Sequence, residues 1–213
     1  TLSHADTNSL IYTVSGPGLL RFEWRPASEA GCDWGLFEVD GINAARISGV
    51  SNGYTQVEWP LSSSGKHVFR WNYAKDKAVV KGEDCLRVRA IGWHPLVNVV
   101  FDANGGLING AGCVTNGFYA GLLLGSGACP VPVRPGYEFA GWFTRPEGGE
   151  VIGDGAVVPS KGGRFHAHWL NVVDLAKALD GPGVFNVTTG GTSQWFGETS
   201  FSSDGEDAAR SGG

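Results

Sequence analysis

The sequence predicts an all-β protein, and three observations predict it. Glycine supplies 34 of the 213 residues and tryptophan eight. Val, Phe, Thr and Trp recur in short bursts parted by Gly, Pro, Asn and Ser, the composition of many strands joined by tight turns. The bursts return about every 8–12 residues, the spacing of a sandwich or jelly roll.

The elements follow in order. "LIYTVSGPGLLRFEWR" (10–25) holds two apolar bursts split by the turn SGPG. Its second half alternates, placing Leu20, Phe22 and Trp24 on one face. "WGLFEVDG" (34–41) is a strand ending in Asp40-Gly41, a strong hairpin turn. "YTQVEWPL" (54–61) alternates again. "GKHVFRWNYAKD" (65–76) puts Phe69, Trp71 and Tyr73 on one side and Val68, Arg70 and Asn72 on the other. "CLRVRAIGW" (85–93) completes this set. "NVVFDANGG" (98–106) opens a second unit with an apolar strand and a Gly-rich turn. "GYEFAGWF" (136–143) and "GRFHAHWL" (163–170) are its further strands, with Tyr137, Phe139 and Phe165 expected inside. "VVDLAKALDGPG" (172–183) is the one helix signal: Val172, Leu175, Ala176 and Leu179 form a stripe, and Gly181-Pro182 stops it. "GVFNVTTGG", "SQWFGET" and a polar tail follow.

Charge narrows the functional classes. A net charge of −5 without basic clusters argues against nucleic acid. No apolar run approaches the roughly 18 residues of a membrane span. No Met occurs anywhere, so the chain reads as a processed product or as a segment of something longer. Four cysteines, Cys32, Cys85, Cys113 and Cys129, allow three disulfide connectivities. Cys32–Cys85 and Cys113–Cys129, one loop in each half, are the pairs expected in an oxidising compartment; four free thiols are the alternative.

Residues 98–170 resemble the Listeria–Bacteroides repeat, seen in internalin B and in many bacterial surface proteins. The residues that carry the resemblance are "VVFDANGG" (99–106), "VRPGYEFAGWF" (133–143) and "FHAHW" (165–169). The resemblance implies a small β-grasp-like domain; Cys113 and Cys129 depart from its usual pattern. Residues 12–94 resemble a jelly-roll repeat, similar to MAM or concanavalin-like domains, of very large bacterial surface proteins. The opening pattern of such a module stands at the wrong end, in "VVDLAKALD" and "TTGGTSQWFGETSFSSDGEDAARSGG" (188–213). The resemblance therefore implies a permuted register: 1–95 as the later part of a sandwich, 96–170 as the β-grasp-like unit, and 171–213 as the opening of the next sandwich.

The function expected from this arrangement is a non-enzymatic structural repeat of a bacterial extracellular filament or surface array. Its partners are copies of itself, joined head to tail. The expected seam runs through Trp195, Phe196 and Phe201 of the tail, against Leu20, Phe22, Trp24, Phe69, Trp71 and Tyr73, whose faces lack cover within 1–95. Whether the tail completes its own sandwich or a neighbour's stays open in the sequence; the short linkers "HPL" and "NVV" favour the neighbour. The alternative class is a carbohydrate- or host-binding adhesin, with Trp59, Trp93 and Trp195 as candidate platform residues.

No cofactor, metal or catalytic group is expected. His166 and His168 alternate on one strand and lack a third ligand. Asp204, Glu206 and Asp207 could offer oxygens to calcium but read as a solvated turn. Asn186 begins an N-V-T acceptor. Glu38, Asp40, Asp76 and Asp84 could in principle pair as carboxylates, yet Asp40 and Asp84 sit where turns are expected.

Overall fold

The computed structural model describes residues 7–76, 83–171, 195–198 and 208–211. All regular structure among them is β. The expected helix at 172–180 lies outside the described residues, as do Phe201, Asn186, Asp204, Glu206 and Asp207. The chain divides into two units. One runs to Val97 and takes in Phe118–Leu122; the other holds Asn98–Gly117 and the residues from Leu123 onward.

The first unit is a sandwich. Its strands are β1 (Thr7–Ser15), β2 (Gly18–Ala27), β3 (Trp34–Val39), β4 (Ile42–Ile47), β5 (Thr55–Leu61), β6 (Lys66–Ala74) and the first half of β7 (Cys85–Asp102). One sheet has the order β1-β6-β3-β4 and the other joins β5, β2 and β7. Every pairing in both is antiparallel. The chain crosses repeatedly from one sheet to the other, and only β3–β4 is a local hairpin. Asp40 and Gly41 form its turn with φ of 52° and 82°, the left-handed pair that a two-residue hairpin of this twist requires.

Alternation along the strands decides the core. Leu20, Phe22 and Trp24 face inward from β2, Phe37 from β3, and Phe69 and Trp71 from β6; all are buried in one cluster. Phe37 lies at its centre, its ring centroid 4.8 Å from Phe22, 5.4 Å from Trp71 and 6.0 Å from Phe69. Burying each such side chain contributes on the order of 1.5–3 kcal/mol, and inclined ring pairs add about 0.5–1.5 kcal/mol.

This arrangement corrects one sequence expectation. The faces of "LLRFEW" and "HVFRWNY" do not lack cover within 1–95: Leu20, Phe22, Trp24, Phe69, Trp71 and Tyr73 are all buried. The physical reason is that β2 and β6 lie in opposite sheets, so each face covers the other. On the outer side of the first sheet Asn72 joins three strands. Its Oδ1 accepts from Ser9 Oγ at 2.7 Å, and its Nδ2 donates to Glu38 Oε1 at 2.9 Å.

The second unit is a mixed sheet of the β-grasp-like kind. It uses the end of β7, β8 (Cys113–Tyr119), β9 (Tyr137–Phe143), β10 (Val151–Ile152) and β11 (Gly163–Asn171). Val99–Asp102 of β7 runs parallel to Gly163–His166 of β11. β11 pairs antiparallel with β9, and β9 with β10. Val99, Phe101, Trp142, Phe165 and Ala167 are buried; Tyr137 and Phe139 are half-buried.

The motif "DANGG" is explained by its hydrogen bonds. Asp102 Oδ1 accepts from Asn104 N–H at 3.0 Å. Asn104 takes φ 45°, a conformation Asn tolerates better than most residues, and its Nδ2 donates to Ala167 O at 3.0 Å. A bulge between His168 and Trp169 re-aims Trp169. The Trp169 indole then donates to Ala103 O at 2.9 Å, and its ring lies where a Gly106 side chain would begin.

Further along the chain, β12 (Trp195–Glu198) and β13 (Ala208–Ser211) pair antiparallel with each other, Trp195 opposite Ser211 and Phe196 opposite Arg210.

Two substitutions test the packing. Phe37→Ala is expected to cost about 3–5 kcal/mol of sandwich stability, read as a lower denaturant midpoint at unchanged slope. Gly106→Ala is expected to destabilise the second unit, because its Cβ would meet the Trp169 ring and stand 2.8 Å from Val133 O. Urea unfolding followed by tryptophan fluorescence measures both, and native-like midpoints would contradict the packing account.

Candidate functional site

Among the described residues the sandwich has an open side between β1 and β7; β4 and β5 are edge strands as well. β1 pairs, among the described residues, only with β6, and Cys85–Val88 of β7 pairs only with β2. Between these edges runs a groove of about 560 Å³, lined by Leu10, Trp71, Tyr73, Leu86 and Val88, with Asp84 at its margin. Leu10 is 48% exposed and Ile11 54%, large apolar side chains on an edge strand where polar ones are the usual protection. The buried Trp71 indole N–H has no hydrogen-bond partner among the described residues.

A charged cluster lies beside the groove. Lys75 follows β6, Asp33 precedes β3, and Asp84 precedes β7. Lys75 Nζ donates to Asp84 Oδ2 at 2.7 Å and stands 3.8 Å from Asp33 Oδ2. The side chains of Asp33 and Lys75 are 0% and 2% exposed, that of Asp84 16%. Asp33 Oδ1 accepts from Asp76 N–H at 2.9 Å, while its Oδ2 has no hydrogen-bond partner among the described residues. The bond to Asp84 raises the Lys75 pKa, Asp33 assisting. Burial, then Asp33 and Asp84, pushes the Tyr73 phenol well up.

The carboxylates singled out in the sequence are engaged separately. Asp84 holds Lys75, and Glu38 accepts from Asn72. Asp40 Oδ1 accepts from Val68 N–H at 2.8 Å, and its Oδ2 lies 2.7 Å from His67 Nδ1. Asp40 does occupy a turn, with φ 52°, and Asp84 takes φ 50° just before β7. Asp33 and Lys75 escaped the sequence reading, for no local pattern marks residues 42 positions apart as neighbours. The one signal was the phase of β6, which carries Tyr73 inward and Lys75 after it.

The remaining candidates are dispersed. Trp59 and Trp93 pack inward, 5.8 Å from Phe37 and 5.9 Å from Phe69, and form no exposed platform. His168 stacks on Phe143 at 3.8 Å, and its Nε2 bonds Arg145 O. Among the described residues no group of His, Cys, Asp and Glu is placed to hold a metal, and no helix is long and apolar enough to cross a membrane.

In the structure Cys32, Cys85, Cys113 and Cys129 stand as free thiols. The Cys85 thiol points at Glu83 Oε2, 3.9 Å away. Desolvation, then Asp154, raises the Cys129 pKa, which disfavours the thiolate needed for exchange.

Fold and edge define a modular all-β chain, a sandwich followed by a small mixed sheet. Residues 98–168 match the family model of the Listeria-Bacteroides repeat domain, about a third of the chain. That repeat is one of bacterial surface proteins. Comparison with curated proteins and with solved structures returns no match.

The Asp40–His67 pair predicts a pH dependence. The bond from Asp40 raises His67 above its ordinary 6.5, and the same bond lowers Asp40 below its ordinary 3.8. A raised His contribution is fully present below 6.5 and is lost as pH rises through the folded value; the Asp contribution is lost as pH falls through its lowered value. Sandwich Tm is therefore expected to decline on the alkaline side of 6.5, and His67→Gln should flatten that limb. An unchanged limb in the variant would contradict this role.

Proposed function

We propose that the chain is a non-enzymatic structural repeat of a bacterial surface protein, assembling by strand addition at the open side of its sandwich. The observation that carries this reading is the groove between the free edges of β1 and β7. Exposed Leu10 and Ile11, and the Trp71 indole, unpartnered among the described residues, are features that an added strand would cover and satisfy. The proposed occupant is segment 172–213 of a second copy, whose sequence resembles the opening strands of this kind of module. Head-to-tail addition of that sort propagates into a filament unless the rotation closes a ring. The match at 98–168 supports an extracellular or cell-surface setting.

The test is sedimentation of the full chain and of a chain ending at Asn171. The full chain is expected to form large species. The shortened chain should stay monomeric and folded, because the sandwich core is complete without the tail. A compact monomer at full length, or unchanged assembly after truncation, would overturn the reading. Thermal stabilisation by one glycan at both lengths would mark a binding module instead.

A further inference from the structure

We propose that Lys75 and Asp33 become joined by an amide bond between Nζ and Cγ, formed by the protein itself with Asp84 as proton carrier. The proposal stands independently of the assembly reading. Three charged groups meet in a place almost closed to water: Asp33 is 0% exposed, Lys75 2% and Asp84 16%. Among the described residues, two carboxylates, Asp33 and Asp84, pair with the one ammonium of Lys75. Asp33 Oδ2 is the odd atom, buried, without a hydrogen-bond partner among the described residues, and 3.8 Å from Lys75 Nζ. Buried ion pairs recover their lost hydration only when well paired and fully hydrogen-bonded, and this one is not. Condensation removes the ammonium and the Asp33 carboxylate together.

The reaction balances without an added reagent. Asp84 Oδ2, 2.7 Å from Nζ, takes one proton from the ammonium. The amine lone pair attacks Asp33 Cγ, forming the C–N bond. Asp84 passes that proton to the departing Asp33 oxygen, then carries the second N–H proton by the same route. The C–O bond breaks and water leaves. Of the three ammonium hydrogens, one remains on the amide and two leave in the water. The charges of Lys75 and Asp33 cancel, and Asp84 ends as a carboxylate.

Proximity supplies what an activating group supplies elsewhere, since fixed reactants avoid the entropy of encounter. Exclusion of water opposes the reverse hydrolysis. Tyr73 is a positioning residue, its hydroxyl 3.5 Å from Asp84 Oδ1. Asp84's hold on Lys75 keeps the ammonium as the resting form, so the first proton transfer is expected to limit the rate. The bond would lie at the end of an existing ladder. Asp33 precedes Trp34 and Lys75 follows Ala74, and Trp34 and Ala74 are register partners between β3 and β6. It would add a covalent rung across the two central strands.

The experiment is intact-mass measurement and peptide mapping of the full-length chain after denaturation. The expected mass is one water below that of the linear sequence, with the peptide containing Asp33 linked to the peptide containing Lys75. Asp84→Asn and Lys75→Arg are each expected to carry the full linear mass, with circular dichroism confirming that they fold. A linear mass for the wild-type chain overturns the proposal whatever the variants do. So does a lost water that maps elsewhere, such as the Asp40-Gly41 turn. A linked Asp84→Asn chain overturns the role of Asp84.

Discussion

The first unit depends on mutual cover between two aromatic faces. β2 contributes Leu20, Phe22 and Trp24 from one sheet; β3 and β6 answer with Phe37, Phe69 and Trp71 from the other. Neither face could remain in water, and neither is long enough to fold on itself. The crossings of the chain between sheets follow from this need. Register follows too, since a slip by one residue in β6 would turn Phe69 and Trp71 outward and bring Arg70 into the core.

Around that core, short polar side chains hold the backbone where packing alone would leave it free. Asp40 occupies a left-handed turn position and accepts from Val68 N–H, fastening the β3–β4 hairpin to β6. Asp102 and Asn104 do comparable work in the second unit, tying the turn after β7 to Ala167 in β11. In each case a side chain accepts or donates a hydrogen bond that a turn would otherwise leave to water. The repeat motif "DANGG" is thus a folding device, and its match to a surface-protein family speaks of architecture.

The open side of the sandwich contrasts with this closure. Its core is complete, yet the edges of β1 and β7 keep apolar side chains in water. At the rim, buried Lys75 and Asp33 and half-buried Asp84 serve to hold the fold together, for each is directed at another member of the cluster.

Much of the fold was legible in the sequence. Alternation placed Leu20, Phe22 and Trp24 on one face, Asp40-Gly41 marked its hairpin, and the spaced motifs of 98–170 identified a unit whose first and last strands run parallel. Each of these is local information or a motif of fixed spacing. Which face covers which is a long-range matter, and there the sequence was silent: the faces of β2 and β6 look equally uncovered until the sheets are placed. The same limit hid the Lys75–Asp33 cluster, because side chains far apart in sequence meet only through sheet pairing. Periodicity determined which residues point inward; the three-dimensional crossing of strands decided what they meet.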